Sequence, residues 1–200
     1  KKHAEDIITR QDIVDIIERL KKDFPIVIDE AMKVTSYGSL LKVCKDLLHE
    51  KIPIIDMLTI IEAVADIAEF TKVPEILLEH VRAKLYRLIT QKYKDTDGVL
   101  HIITIKPELE QQFIGKLQEH HGVSQLMISI AEINNLVTKT KKLLDDIEAK
   151  GFSKITMVVD PVLRKRISEI YEKFGLQVSV LSHAELDSKA NFAIEGTLEF

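Results

Sequence analysis

The segment ITMVVDPVLRKRISEIYEKFGLQVSVL, residues 155–181, decides the fold class of this chain. Its first part, 155–159, is apolar and rich in β-branched residues, which predicts a strand. A helical pattern follows over 161–174 and stops before Gly175, a residue type that commonly ends helices. Residues 178–181 predict a second strand. This order and length are typical of a right-handed βαβ crossover, which requires a parallel sheet.

The flanking sequence supplies further strands for the same sheet. Short β-branched runs predict strands at 99–105 and 192–198. Between the first strand and the βαβ unit, periodicity predicts a helix from Pro107 to about His120 and another over 133–147. The whole region then forms a small α/β subdomain with about four strands. The adjacent His120 and His121 are expected at the C-terminus of the first of these helices, where positive charge is favourable.

The first half of the chain is predicted to be entirely helical. Thr9 and Asp12 have the spacing of a capping box at a helix start. Apolar residues then recur at helical spacing in four stretches, which are 9–25, 39–50, 57–70 and 74–93. A turn signal at 95–98 marks a change of pattern, and we place the domain boundary there. The predicted fold class is α+β, with an all-helical subdomain at 1–94 and an α/β subdomain at 95–200.

Composition excludes several classes of protein. The chain has 200 residues, of which 46% are hydrophobic and 30% charged, so it has enough apolar residues to form a core. Its 28 basic and 32 acidic side chains give a net charge of −4, and the charges are evenly spread, which argues against binding to nucleic acid. No apolar run has the roughly 18 to 20 residues of a membrane helix. Because the chain begins at Lys1, we expect a fragment or processed product.

No catalytic or metal-binding pattern is found among the reactive residue types. The single cysteine, Cys44, lies on an apolar helical stripe, so we expect it in the core. The histidines do not repeat a known ligand spacing, and adjacent His120 and His121 would point about 100° apart on a helix. The serines lack the flanking glycines of a nucleophile elbow. The sequence therefore predicts no catalytic, cofactor-binding or metal-binding residues.

The first turn of the βαβ unit offers the one alternative of another class, a small nucleotide-binding α/β enzyme domain. A phosphate cradle needs glycines and free amides at a helix start. Here the turn contains Asp160 and Pro161, which add a negative charge and remove one amide. We expect Asp160 to cap the helix that Pro161 opens.

Several motifs carry a resemblance to a known family. These are LLHEKIPIIDM at 47–57, TIIEA at 59–63, Val81-Arg82 in the last helix of the first half, and VLSHAEL at 180–186. Together they resemble the cytoplasmic region of the flagellar and type III secretion export-gate family, the FlhA-like proteins. The resemblance extends over nearly the whole chain and is most specific in the first hundred residues.

The resemblance implies a non-enzymatic role. Members of this family have a membrane-spanning half and a cytoplasmic half that forms a ring and docks export chaperones and substrates. The chain would be the last two cytoplasmic subdomains, at the cytoplasmic face of the bacterial inner membrane, without membrane contact of its own. Its expected partners are other export-apparatus proteins, export chaperones, substrates and copies of itself. We expect the flagellar branch, which is the more widespread, and keep the injectisome branch as the alternative.

Three charged residues match family positions on the helical subdomain, namely Asp56, Glu62 and Arg82. They are candidates for contacts with partners or ring neighbours. They are also candidates for ties between helices of one subunit, and we favour this second interpretation because a charge near an apolar stripe needs an opposite partner. The chain departs from the family at Ile55, where relatives usually carry an arginine.

Overall fold

The computed structural model describes residues 3–200, which form two compact units. One unit ends at Leu85, and the other comprises Tyr86–Phe200. The predicted fold class, helices followed by a small α/β region with a βαβ unit and four strands in its sheet, is confirmed.

The first unit is built from helices alone. After a short 3-10 turn at Ala4–Asp6, the helices are α1 (Arg10–Asp23), α2 (Pro25–Val34), α3 (Tyr37–His49), α4 (Met57–Ala68) and α5 (Pro74–Lys84). The predicted capping box is present at the start of α1, where Thr9 Oγ1 accepts from the amide of Asp12. Helix α2 was not predicted. It begins directly at Pro25, because the proline that ends α1 also fits the first turn of a new helix.

The core of the first unit follows the predicted apolar stripes. The side chains that are fully buried come from all five helices and the loop after α3, and they include Ile13, Ile28, Leu40, Val43, Cys44, Leu47, Ile52, Ile60, Ile61, Val64 and Val81. The predicted helix over 74–93 is corrected, since α5 ends at Lys84 and Leu85 adopts a non-helical conformation. The chain continues as a separate helix, α6 (Tyr86–Tyr93), which belongs to the second unit.

The second unit is organised around a four-stranded sheet. Its strands are β1 (Leu100–Ile105), β4 (Ile155–Val159), β5 (Ser179–Ser182) and β6 (Phe192–Leu198), in the order β5-β4-β1-β6. All neighbours are parallel, as the βαβ prediction requires. The helices of this region are α7 (Pro107–Ile114), α8 (Ile130–Glu148) and α9 (Pro161–Lys173). Helix α9 joins β4 to β5, and Gly175 follows its end with a positive φ of 70°.

The largest difference from prediction is a β-hairpin between α7 and α8. Helix α7 ends at Ile114 instead of near residue 120, and the chain forms β2 (Leu117–His120) and β3 (Val123–Leu126) as an antiparallel pair. The two residues between these strands, His121 and Gly122, have φ of 53° and 80°. Positive φ at both central residues is what a tight hairpin turn requires. His120 and His121 therefore lie at a hairpin tip and not at a helix end.

The two units divide at Leu85/Tyr86, whereas the turn signal placed the boundary between residues 94 and 95. Helix α6 accounts for the difference, because its side chains and carbonyls bond to the α/β region. Thr90 Oγ1 accepts from the amide of Asp187 over 2.9 Å, and the carbonyl of Lys92 accepts from Lys154 Nζ over 2.9 Å. The turn beyond α6 is anchored as well, since Asp95 accepts from the amide of Ser153 over 2.8 Å. A local turn signal carries no information about these long-range bonds.

One face of the sheet forms the core of the second unit. Side chains of β1, β4 and β5 meet those of α7, α8 and α9 there, and the fully buried members include Ile103, Phe113, Leu136, Met157, Leu163 and Ile167. Within residues 3–200, no helix combines the length and the apolar character needed to span a membrane.

Candidate functional site

Arg82 lies on the inner side of α5 and forms a buried ion pair. Its Nη1 donates to Glu50 Oε2 over 2.6 Å, and the two side chains are 2% and 8% exposed. Glu50 is the residue that follows α3, so the pair connects two helices of the first unit. This contact agrees with the interpretation in which Arg82 ties helices together. The sequence motif contained Glu50, but nothing in the spacing identified it as the partner of Arg82.

Asp56 has a local structural role as the N-cap of α4. Its carboxylate accepts from the amide of Thr59 over 3.2 Å and from the Thr59 hydroxyl over 2.8 Å. A side-chain oxygen at this position satisfies an amide that the helix itself leaves unbonded. Asp56 is nevertheless exposed to solvent.

Glu62 lies in the middle of α4, on its solvent side. The residue is exposed, and among residues 3–200 its side chain makes no hydrogen bond or ion pair. Ile55, at the departure from the family pattern, is 82% exposed just before the cap of the same helix. Of the three candidate residues, Glu62 is therefore the one for which the structure provides no partner inside the unit.

At the turn between β4 and α9, two backbone amides donate hydrogen bonds to carboxylates. Asp160 caps α9 as predicted, since its Oδ1 accepts from the amide of Val162 over 3.0 Å. The amide of Asp160 donates to Glu110 Oε2 over 3.0 Å, which brings a second carboxylate to the same helix end. Two acidic groups occupy the amides that a phosphate would need. The geometry therefore opposes nucleotide binding at this turn.

The VLSHAEL motif contains a second buried charge. Glu185 is fully buried, and its Oε1 accepts from the amide of Ser182 over 2.8 Å. Arg164 Nε of α9, also buried, lies 3.6 Å from the same oxygen. The motif was recognised from the sequence, but its glutamate was not predicted as a structural anchor. Its partner, Arg164, lies on α9, 21 positions earlier in the chain. A local sequence pattern does not reveal a pairing at this separation.

The remaining reactive groups considered within residues 3–200 are the single cysteine and the possible metal ligands. Cys44 is fully buried beside Met57, and burial raises the pKa of its thiol to about 12. A thiol with this pKa stays protonated at neutral pH and is a poor nucleophile. No group of three or more His, Cys, Asp or Glu side chains in residues 3–200 is arranged to hold a metal ion.

Comparisons with known proteins give a consistent result. The model of the FHIPEP family matches residues 1–191. The flagellar biosynthesis protein FlhA of Helicobacter pylori (strain J99 / ATCC 700824) is 40% identical over 199 residues, which cover 99% of this chain and 27% of that protein. The chain thus spans about a quarter of the length of the curated relatives that it matches.

Solved structures share the fold at lower identity. The nonameric EscV cytosolic domain from the type III secretion system is 20% identical, with a TM-score of 0.82 over 98% of this chain and 58% of that one. The complex of the Chlamydia pneumoniae CdsV and CdsO proteins contains a chain that is 19% identical, with a TM-score of 0.84 over 98% of this chain and 57% of that one. At such identities the likeness concerns the fold.

Proposed function

Because this chain belongs to the FHIPEP family, we propose that it is the cytoplasmic docking and ring-assembly module of a flagellar protein export gate. The observation that carries the proposal is the 40% identity to a flagellar biosynthesis protein along 99% of the chain. The parent protein would be anchored in the bacterial inner membrane, with this part on the cytoplasmic side. An injectisome role is the second candidate, and the shared fold of EscV and CdsV keeps it open.

In this role the module works by binding. It would contact neighbouring copies in a ring and receive other export proteins, among them export chaperones and their substrates. The nonameric form of EscV and the complex of CdsV with CdsO support self-association and partner binding in structures of the same fold. The carboxylates at Asp160 and Glu110 argue against the nucleotide-binding alternative, because they occupy the helix end that a nucleotide phosphate would use.

We assign Glu62 as the residue of the helical unit that contacts a partner or a ring neighbour. It is exposed, and it has no hydrogen bond or ion pair to lose among residues 3–200. Asp56 and Arg82, the other two candidates, have the internal bonds described above. For them, the contribution to docking would be indirect, through the positions of α4 and α5.

The assignment is tested by replacing Glu62 with Ala in the full-length parent protein and measuring secretion of flagellar subunits into the medium. We expect secretion to fall while the melting temperature of the isolated chain stays unchanged. Glu18→Ala on the exposed side of α1 is the matched control and should leave both quantities unchanged. Normal secretion with Glu62→Ala would remove Glu62 from the docking surface.

The broader proposal is tested by affinity capture from cells with the complete cytoplasmic region as bait. Recovery of neighbouring copies and export chaperones is expected, and failure to recover either would count against the proposal. Addition of nucleotide and magnesium to the chain should leave its melting temperature unchanged. A rise of several degrees would support the nucleotide-binding alternative instead.

A further inference from the structure

His101 of β1 is held between two carboxylates in the second unit. Its Nδ1 lies 2.8 Å from Glu195 Oε1, and its Nε2 lies 2.8 Å from Asp97 Oδ2. The histidine is 4% exposed, and its ring stacks on Phe152 with the centroids 3.9 Å apart. Both ring nitrogens are thus engaged by carboxylates, and the ring itself is buried although Asp97 is half exposed.

The contacts determine the protonation state of the ring. An ionised carboxylate only accepts hydrogen bonds, so each nitrogen must carry a proton to bond to its carboxylate. A neutral imidazole would direct a lone pair at one of the two carboxylates. Two further charged groups lie nearby, namely Lys150 just beyond the end of α8, whose Nζ lies 3.9 Å from Glu195 Oε2, and Asp95, whose charge acts on Asp97. The positive charge of an imidazolium is therefore favoured by three carboxylates and opposed by one ammonium group.

Glu195 occupies a special position in the sheet. The register of β1 with β6 passes from Ile102 opposite Ile194 to Ile103 opposite Gly196. Glu195 is therefore the extra residue of a β-bulge, a device that redirects a side chain. Here the bulge turns the carboxylate toward His101. Strand β6 is one of the two edge strands of this sheet, so this contact adds to the hydrogen bonds with its single neighbouring strand, β1.

Asp97 connects the same ring to the turn before β1. Its Oδ1 accepts from the amide of Val99 over 2.9 Å while its Oδ2 bonds to His101. The imidazolium thus links three segments of the unit, which are the turn at 95–98, strand β1 and the bulge of β6. We propose that His101, Asp97 and Glu195 form a proton-dependent latch that fixes the bulge of β6 to β1 and opens when the imidazolium loses a proton.

The pH range in which the latch is closed follows from the pKa of the His101 imidazole and that of the Asp97 carboxylate. Burial by itself lowers the pKa of His101, but the hydrogen bonds to Glu195 and Asp97 outweigh it and leave the pKa raised above its ordinary value. The stabilisation is therefore complete below the ordinary imidazole pKa of about 6.5 and is lost as the pH rises through the raised value. At the acid end, the bond from the amide of Val99 and that from His101 lower the pKa of Asp97, so the carboxylate stays ionised at neutral pH.

Hydrogen exchange of the full chain tests the latch directly. Protection of the β6 amides is measured relative to the β4 amides from pH 6 to pH 9.5, after correction for intrinsic exchange. We expect this ratio to fall by up to about tenfold for each pH unit between the ordinary imidazole pKa of about 6.5 and the raised pKa of His101, and to be constant above the raised value. In His101→Gln, whose side chain does not titrate, the ratio should be independent of pH. His120→Gln at the exposed hairpin tip is the matched control and should behave as the unmodified chain.

Nitrogen chemical shifts of the imidazole give a second, variant-free test. Both nitrogens of His101 should be protonated at pH 6, and Glu195→Gln should lower the midpoint of its titration toward the ordinary value. A neutral His101 at pH 6, or a ratio of β6 to β4 protection that is constant with pH in the unmodified chain, would overturn the proposal. The same holds if His101→Gln shows the same pH dependence as the unmodified chain. These tests do not depend on the proposed export function.

Discussion

The guanidinium of Arg82 donates to Glu50 Oε2 over 2.6 Å inside the helical unit, where both side chains are almost completely buried. The bond ties α5 to the residue that ends α3. A buried ion pair adds little net stability compared with well-packed apolar residues, because both charges lose their hydration. Removing one partner is different, since the remaining charge stays buried without its counter-ion.

The first prediction concerns the cost of breaking this pair. Glu50→Ala should lower the free energy of unfolding by about 3–5 kcal/mol, because the buried charge of Arg82 loses this acceptor. Urea denaturation at pH 7 measures the change. The double variant that combines Glu50→Gln with Arg82→Met should lose less free energy of unfolding than the sum of the losses measured for Glu50→Gln and Arg82→Met separately. A single-variant cost below about 1 kcal/mol would place the pair among solvent-screened contacts.

The second prediction separates the cap made by Asp56 from any role of its charge. Asp56→Ala removes the acceptor for both groups of Thr59 and should lower the free energy of unfolding by about 1 kcal/mol. Asp56→Asn keeps an acceptor oxygen, so it should cost only a few tenths of this. Thermal unfolding checks both values.

The same pair of variants bears on docking. If Asp56 acts only through the position of α4, then Asp56→Asn should secrete flagellar subunits normally in the full-length parent. A stable Asp56→Asn variant that fails in secretion would instead show that the carboxylate charge itself contacts a partner.

Local signals in the sequence predicted the elements whose ends are determined by neighbouring residues. The cap at Thr9, the cap at Asp160 and the strand–helix–strand order of β4, α9 and β5 each depend on residues a few positions apart. These interactions depend on the spacing of side chains along the chain, so a single sequence is enough to predict them.

Long-range pairing could not be predicted in the same way. Arg82 and Glu50 are 32 positions apart, and His101 and Glu195 are 94 apart. Periodicity shows which side of a helix or strand is buried, but it does not show which charge meets which. The hairpin of β2 and β3 was missed for a related reason, because Leu117–His120 has one apolar residue and no β-branched side chain. Its structure depends on the turn at His121 and Gly122.

The third prediction concerns acid stability through Asp95. The Ser153 hydroxyl, the amide of Thr96 and the amide of Ser153 donate to its carboxylate, and these bonds hold the pKa of Asp95 well below its usual range. A lowered native pKa means that the stabilisation is present above the ordinary aspartate pKa of about 3.9 and is lost as the pH falls. The melting temperature should therefore drop steeply in the acid range.

Asp95→Asn identifies this contribution. The variant should melt below the unmodified chain at pH 7, and the difference should shrink as the pH is lowered toward 2. Asp145→Asn on the exposed side of α8 serves as the control and should follow the unmodified chain throughout. A difference that stays constant from pH 7 to pH 2 would mean that Asp95 acts through packing and not through its charge.

The fourth prediction concerns a buried hydroxyl pair between α8 and α9. Tyr171 Oη lies 2.8 Å from Thr140 Oγ1 and 3.2 Å from Met157 Sδ, and both hydroxyl-bearing residues are almost fully buried. Burial also raises the pKa of Tyr171, which keeps the phenol protonated. Tyr171→Phe should cost about 1–3 kcal/mol, because the hydroxyl of Thr140 loses its partner while it stays fully buried. Thr140→Val should cost a similar amount.

The two changes together should cost clearly less than their sum, since the double variant leaves neither hydroxyl unsatisfied. Strictly additive costs in chemical denaturation would mean that each hydroxyl finds another partner once its mate is removed.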